Sequence, residues 1–213
     1  MSALSPPPLR EEIANAVTHG LGVLLAVGGG AVLVTLAAIH ATAWHIVGAS
    51  VFVGSLVLLY TASTLYHAIP FERARRRLQT FDHCAIYVLI AGTYTPFLIT
   101  DLRGPLGWSL LATIWALAVG GVVFKLYFTG RWRGLSTAFY IGMGWLAAVA
   151  FQPMREALPP SALAWIVAGG VAYTAGTIFY LSRRRYAHAV WHGFVLAGSV
   201  CHFAAVLVVV LGA

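Results

Sequence analysis

Charged side chains are scarce in this sequence. Asp, Glu, Lys and Arg make up 9% of its 213 residues, whereas soluble domains carry about a quarter. Apolar residues make up 60% of the chain, which excludes an ordinary soluble domain. The 22 glycines suit transmembrane helices, because small residues let such helices approach closely. The composition therefore predicts a polytopic membrane protein.

Cysteine and lysine are rarer still. Cys84 and Cys201 both fall within apolar segments, which excludes a disulfide-stapled extracellular framework and a zinc site built from several thiolates. Lys125 is the single lysine and precedes the last apolar segments. A retinal protein needs a buried lysine in its last span for the Schiff base, so this class of seven-helix protein is also excluded.

Positive charge outweighs negative charge, and the formal net charge is +7 at pH 7. A basic protein invites a nucleic-acid interpretation. Here, however, the basic residues flank the apolar segments, where membrane topology and anionic lipid account for them. We expect no nucleic-acid partner.

Seven apolar stretches are long enough to cross a bilayer, which takes roughly 20 residues per helix. They are continuous rather than alternating, and open sheets do not cross lipid. We therefore predict an all-α, seven-transmembrane helix bundle, with residues 1–16 as a short cytoplasmic arm and residues 17–213 as one transmembrane domain. The predicted spans are 17–39, 45–67, 81–100, 106–128, 134–153, 162–182 and 189–211.

The basic residues predict the orientation of the bundle. Eleven of the 13 fall on one side of the predicted membrane, and only Arg103 and Arg155 fall on the other. Because positive loops stay inside, the N-terminus is predicted in the cytoplasm, the C-terminus outside, and the protein in the inner or plasma membrane. The eleven are Arg10, Arg73, Arg75, Arg76, Arg77, Lys125, Arg131, Arg133, Arg183, Arg184 and Arg185.

This topology brings polar residues from three helices to one depth near the cytoplasmic face. His67 ends the second span, Asp82 begins the third, and His188 and His192 begin the seventh, one helical turn apart. Three imidazoles with one open position form the ligand set of a catalytic zinc site. A nearby carboxylate could orient the reacting water or take its proton. Ser63 lies one turn deeper on the face of His67.

Simpler interpretations exist for each of these residues. A lone interfacial histidine more often snorkels toward headgroups, and Asp82 could pair with Arg75 or Arg185. Ser63 could bond back to its own helical turn. The joint arrangement is what favours a metal site.

Other polar residues fit the site less well. His83 points about 100° away from Asp82 around the helix, and His202 lies about 21 Å deeper than His188, where it could line a cavity. Capping and interface anchoring explain the segment "EEIANAVTHG" adequately, although Glu11, Glu12 or His19 could contribute to the site.

The motifs together resemble those of the bacterial hemolysin III family, within the progestin and adipoQ receptor (PAQR) superfamily. They are "EEIANAVTHGLG", "STLYH", "FDHCAIYVLIAGTYTPF" and "HAVWHGFVLAGSVCHF". The resemblance covers essentially the whole chain. It implies Zn²⁺ held by His67, His188 and His192, with Asp82 near the zinc-bound water and Ser63 beside it. Similarity to adiponectin receptors and alkaline ceramidases implies zinc-dependent hydrolysis of a lipid amide.

Three functions follow as hypotheses. The first is an intramembrane zinc hydrolase that acts on a membrane lipid, an amide or an ester, with Asp82 as base and then acid. The second is a haemolytic pore, which should carry polar groups at several depths and for which oligomerisation is possible. The third is a sensor or regulator of membrane state in which zinc fixes helix geometry without turnover, an interpretation that a fourth protein ligand would favour.

Overall fold

The computed structural model describes residues 8–213, and these residues are almost entirely helical. Helices satisfy every backbone hydrogen bond within one segment, as a bilayer requires. In order, the elements are α1 (Leu9–His40), α2 (Ala43–Ala68), α3 (Glu72–Ile99), α4 (Pro105–Phe128), α5 (Arg133–Gly144), a 3-10 helix (Trp145–Ala150), α6 (Phe151–Ala157), α7 (Pro160–Leu181) and α8 (Ala187–Leu211).

These elements form seven spans, because α5, the 3-10 helix and α6 together make one crossing, here called the fifth span (Arg133–Ala157). Six spans are long and apolar enough to cross a membrane by length and composition. α3 is the exception, since Asp82, His83 and a charged first turn lower its hydropathy. The all-α, seven-helix prediction is confirmed.

Two helices extend beyond their predicted spans. α1 begins at Leu9, so the predicted boundary between arm and bundle falls inside this helix, and the first part of the predicted arm lies outside the described residues. α3 begins at Glu72, well before its apolar part. In both cases polar residues continue the helix past the apolar stretch from which the span was predicted.

The helices pack as a ring. α7 contacts α8, α8 contacts α1, α1 contacts α2, α2 contacts α3, and the fifth span closes the ring between α3 and α7. α4 packs on the outside of α3. The fifth span makes the sparsest contacts with its neighbours, and it is also the span whose helix is broken.

The break in the fifth span has a specific polar partner. The Tyr94 hydroxyl lies 2.9 Å from the Met143 carbonyl oxygen and 2.7 Å from that of Gly144. It also accepts a hydrogen bond from the Ala147 backbone N–H at 2.9 Å. Irregular backbone at membrane depth is tolerated where other groups satisfy it, and one phenol from α3 does so here.

Ion pairs draw together the end of the bundle at which α1 begins, here called the basic end. Glu12 of α1 pairs with Arg75 of α3, and Glu11 lies 3.9 Å from Arg185, just before α8. The arginine-rich start of α3 and the arginine-rich connection before α8 thus lie beside the start of α1. The predicted orientation, which places this end in the cytoplasm, stays a prediction from the positive-inside rule.

Gly22 allows α1 to approach α2 closely. A Cβ atom at Gly22 would lie 2.5–2.8 Å from three ring carbons of Tyr60, closer than side chains pack. Gly28, on the same helix, has nothing within 4 Å of such a Cβ. The two glycines therefore form a matched pair, since helix packing excludes a side chain at Gly22 and leaves room for one at Gly28.

We predict that Gly22→Ala destabilises the bundle and that Gly28→Ala does not. Overpacking costs about 1–3 kcal/mol, or several degrees of apparent Tm at about 2–4 °C per kcal/mol for a chain of this size. Thermal unfolding of both variants in detergent checks this. Equal Tm values would contradict the close approach of α1 and α2.

Candidate metal centre

Three histidine side chains meet at the basic end of the bundle. His67 lies at the end of α2, and His188 and His192 lie in the first two turns of α8. The ring centroids are 5.1 Å apart for His67 and His188, 5.2 Å for His67 and His192, and 4.6 Å for His188 and His192. One nitrogen from each ring lies within 4.8 Å of the others. This spacing allows three imidazoles to hold one metal ion.

A buried carboxylate orients His67. Glu12 is 6% exposed, and its Oε2 accepts a hydrogen bond from His67 Nδ1 at 2.6 Å. The same carboxylate accepts from the Arg75 guanidinium. Since Nδ1 donates to Glu12, Nε2 keeps its lone pair, and that buried atom has no hydrogen-bond partner among the described residues. A carboxylate on the far nitrogen is the usual support for a metal-bound histidine.

His192 is held by the backbone of α1. Its Nδ1 lies 3.2 Å from the Asn15 carbonyl oxygen and 3.4 Å from the Thr18 hydroxyl. A donated hydrogen bond from Nδ1 to the carbonyl leaves Nε2 free as a ligand. His19 stacks on the His192 ring, with centroids 3.5 Å apart and planes 12° from parallel. α1 thus fixes two of the three histidines.

Asp82 and Ser63, the other two residues predicted for the site, share a cavity with two of the histidines. Both are buried, and both line the cavity into which His188 and His192 also face. In the described part of the chain Asp82 forms no ion pair, since Arg75 pairs with Glu12. The simpler interpretation of Asp82 as a partner for a loop arginine therefore finds no support in the geometry.

The cavity runs from the histidine cluster far into the bundle. Its volume is about 370 Å³, within the range of small-molecule sites. Most of its lining is apolar and comes from α3, the fifth span, α7 and α8. Its polar lining residues include His19, Ser63, Asp82, His83, His188 and His192 at the basic end, and His202 and Tyr173 lie deeper.

Two further histidines, His83 and His202, line the cavity without joining the cluster. His83 is buried and lines the cavity, but the metal-spaced cluster does not include it, in line with its direction on the helix. His202 lies deeper in the same cavity. Neither competes with His67, His188 and His192 as a ligand set.

The first turns of α1 contribute more to the surroundings of the histidine cluster than the sequence predicted. Glu12, Asn15 and His19 are all buried, at 6%, 2% and 3% exposure, so the preferred explanation of this segment as capping and anchoring is insufficient. Their spacing of three and four residues was the available signal, because it puts all three on one helical face. That face is the one turned toward α2 and α8.

Comparison with known proteins identifies the family. Residues 8–203 match the family described as Haemolysin-III related. The chain belongs to this family. The hemolysin-3 homolog of Bacillus subtilis (strain 168) is 47% identical over 200 residues, covering 93% of this chain and 94% of the relative. Hemolysin-3 of Bacillus cereus is 48% identical over 204 residues, covering 95% and 93%.

A more distant relative is the human monocyte to macrophage differentiation factor, 28% identical over 209 residues, covering 94% of this chain and 84% of the relative. The resemblance to the hemolysin III family and its wider PAQR superfamily is confirmed. With its apolar helices, this haemolysin III-related chain is an integral bacterial membrane protein.

We predict that Glu12→Gln weakens metal binding by about 10- to 100-fold, the usual cost of losing such support. The amide accepts a weaker hydrogen bond from His67 and leaves Arg75 without its carboxylate. Glu11→Gln is the matched control, since Glu11 pairs with Arg185 at 3.9 Å and not with His67. Competition with a chelator of known affinity measures both variants, and equal affinities would contradict the role of Glu12.

Proposed function

We propose that this protein is an intramembrane zinc-dependent hydrolase that acts on a lipid amide or ester. The observation that carries the proposal is a three-histidine cluster of which two members, His188 and His192, line a largely apolar cavity together with the buried carboxylate of Asp82. Each component has a physical role in such a reaction.

The donor set suits zinc. Three neutral imidazoles are a common ligand set for Zn²⁺, and carboxylate- or carbonyl-seeking ions such as Mg²⁺ or Ca²⁺ prefer oxygen. The buried, unpartnered Nε2 of His67 is a lone pair for which a cation is the natural partner. The cluster among the described residues holds no carboxylate, and three protein ligands leave the open position typical of catalytic rather than structural zinc. When bound, zinc would supply Lewis acidity and an activated water.

In this proposal Asp82 handles the proton. In hydrolysis a water oxygen bonds to the acyl carbon, the C–N or C–O bond breaks, and the leaving group takes a proton. Asp82 would accept the proton of the water and pass it to the leaving amine or alcohol, as a general base and then a general acid. The buried Ser63 hydroxyl lines the cavity together with Asp82 and would orient the acyl oxygen or Asp82.

The cavity favours a lipid as substrate. Several of its lining residues on the fifth span and α7 are well exposed, and we infer from them that the cavity opens sideways between these two elements. Trp145 and Phe151 of the fifth span are 40% and 48% exposed, and Val167 of α7 is 40% exposed. A membrane lipid could enter this way with its acyl chain along the apolar walls and its polar linkage at the metal.

The same features weigh against the other two hypotheses. A pore needs polar groups along its length, whereas most of this lining is apolar. A purely structural metal site calls for a fourth protein ligand, and Asp82 is not part of the cluster. An oligomeric pore stays testable through leakage of liposomes containing the protein.

Metal content is the first test. The protein purified without chelator should hold about one zinc per chain, as expected for a single three-histidine site, by inductively coupled plasma mass spectrometry. His188→Ala should lose it. His40→Ala, at the exposed far end of α1, should keep it. Absence of zinc and of every other transition metal in the wild type would overturn the proposal.

Turnover is the second test. We expect Asp82→Asn to retain zinc and to lower hydrolysis by about 100- to 10,000-fold, the usual contribution of a general base. The assay uses ceramide-type amides and acyl esters presented in lipid nanodiscs. Asp101→Asn, at the opposite end of the bundle where Thr100 donates to Asp101, is the control. Unchanged hydrolysis in Asp82→Asn would refute the assignment of Asp82.

A further inference from the structure

A second polar locus lies deep in the cavity, away from the metal centre. His202 follows His192 by ten residues on α8, which places it about 15 Å farther along the helix axis. Tyr173 of α7 contacts it, with ring centroids 5.5 Å apart, and both residues line the cavity. Polar groups inside a membrane span are costly and mark function. The hydrolytic chemistry proposed above uses neither residue.

One ring nitrogen of His202 has no hydrogen-bond partner among the described residues. Its Nε2–H donates to the Ile166 carbonyl oxygen at 3.2 Å, so Nδ1 is the ring nitrogen that keeps a lone pair. Nδ1 has no hydrogen-bond partner among residues 8–213, in a side chain that is only 9% exposed. His202 therefore offers an unused acceptor at the level of the hydrocarbon core.

Tyr173 offers the complementary donor. Its hydroxyl lies 2.7 Å from Ser199 Oγ, which also accepts a hydrogen bond from the Tyr60 hydroxyl at 2.6 Å. These three hydroxyls carry three hydrogens but make two hydrogen bonds with one another. When Ser199 donates to Tyr173, the hydrogen of the Tyr173 hydroxyl remains available to a group in the cavity.

Both rings sit in spaces that two glycines leave for them. A Cβ at Gly169 would lie 2.5 Å from two ring atoms of His202, and a Cβ at Gly198 would lie 2.6 Å from the Tyr173 ring. Gly169 is on α7 and Gly198 is on α8, so each helix omits a side chain where the other inserts its ring. The polar pair is thus built into the packing of α7 against α8.

We propose that His202 and Tyr173 form a subsite for a hydroxyl group on the chain of the bound lipid. A hydroxyl can donate to His202 Nδ1 and accept from the Tyr173 hydroxyl, satisfying both residues at once. The ligand class is a lipid whose chain carries a hydroxyl roughly 15 Å from the group at the metal, the separation set by the helix rise between His192 and His202. This inference rests on the lipid occupant of the proposed function and narrows it to hydroxylated chains.

The experiment measures binding rather than turnover. Purified protein in phosphatidylcholine nanodiscs is titrated with octadecanoic acid and with isomers hydroxylated at single carbons along the chain, in competition with a fluorescent fatty acid. One isomer, or two adjacent ones, should bind about 3- to 10-fold more tightly than the unsubstituted acid, the effect of one net hydrogen bond. Isomers hydroxylated near the carboxyl group should show no gain.

Two variants test the residues. His202→Phe should abolish the preference, and continued binding of the unsubstituted acid shows that the variant is folded. Tyr173→Phe changes no ring shape and should reduce the preference, so it carries the test if His202→Phe does not fold. His45→Phe, near the start of α2 at the opposite end of the bundle, is the matched control and should keep the full preference.

The outcomes separate this inference from the proposed function. A wild type that binds the unsubstituted acid and prefers no hydroxylated isomer overturns the subsite and leaves the hydrolase standing. A preference that persists in both variants also overturns it. If no fatty acid displaces the probe, the lipid occupant fails, and both proposals fall together.

Discussion

The contact of Glu12 with His67 and Arg75 is the interaction on which the basic end of this bundle depends. It joins α1, α2 and α3 through one carboxylate, and it does so beneath the surface of the protein. A buried carboxylate is tolerable only when its partners offset the lost hydration, and here an arginine and a histidine do so. In His67, the hydrogen bond to Glu12 makes Nδ1 the donor, so Nε2 keeps its lone pair. The pairing of charges at the helix ends and the geometry of the histidine cluster therefore depend on the same carboxylate.

Sequence reasoning located the three histidines because two simple rules sufficed. Span length and the positive-inside rule predicted how deep each polar residue lies in the membrane. The one-turn spacing of His188 and His192 predicted that they lie on the same face of their helix. The supporting residues were harder to foresee. Glu12 at the start of a helix has an adequate explanation as a capping or interfacial group, and only the three-dimensional path of α1 between α2 and α8 brings it to His67.

The broken fifth span could not be read from the sequence either. Residues 134–153 form a continuous apolar stretch, and periodicity alone describes it as one helix. The break depends on a partner distant in sequence, since the Tyr94 hydroxyl accepts and donates at three backbone groups of the span. The cavity could not be predicted from the sequence either. Its walls come mainly from four spans, and no local sequence pattern specifies how these spans are placed relative to one another.

The sparse packing of the fifth span has a consequence for how stability is distributed. Local opening costs least where buried contacts are fewest, so this span is the element most easily displaced. The helices that carry the histidines and their supports, α1, α2 and α8, are bound to one another on the opposite side of the ring. The bundle thus has a weakly packed side, formed by the fifth span, and a tightly packed side, formed by α1, α2 and α8. Displacement of the fifth span would therefore leave the arrangement of the three histidines unchanged.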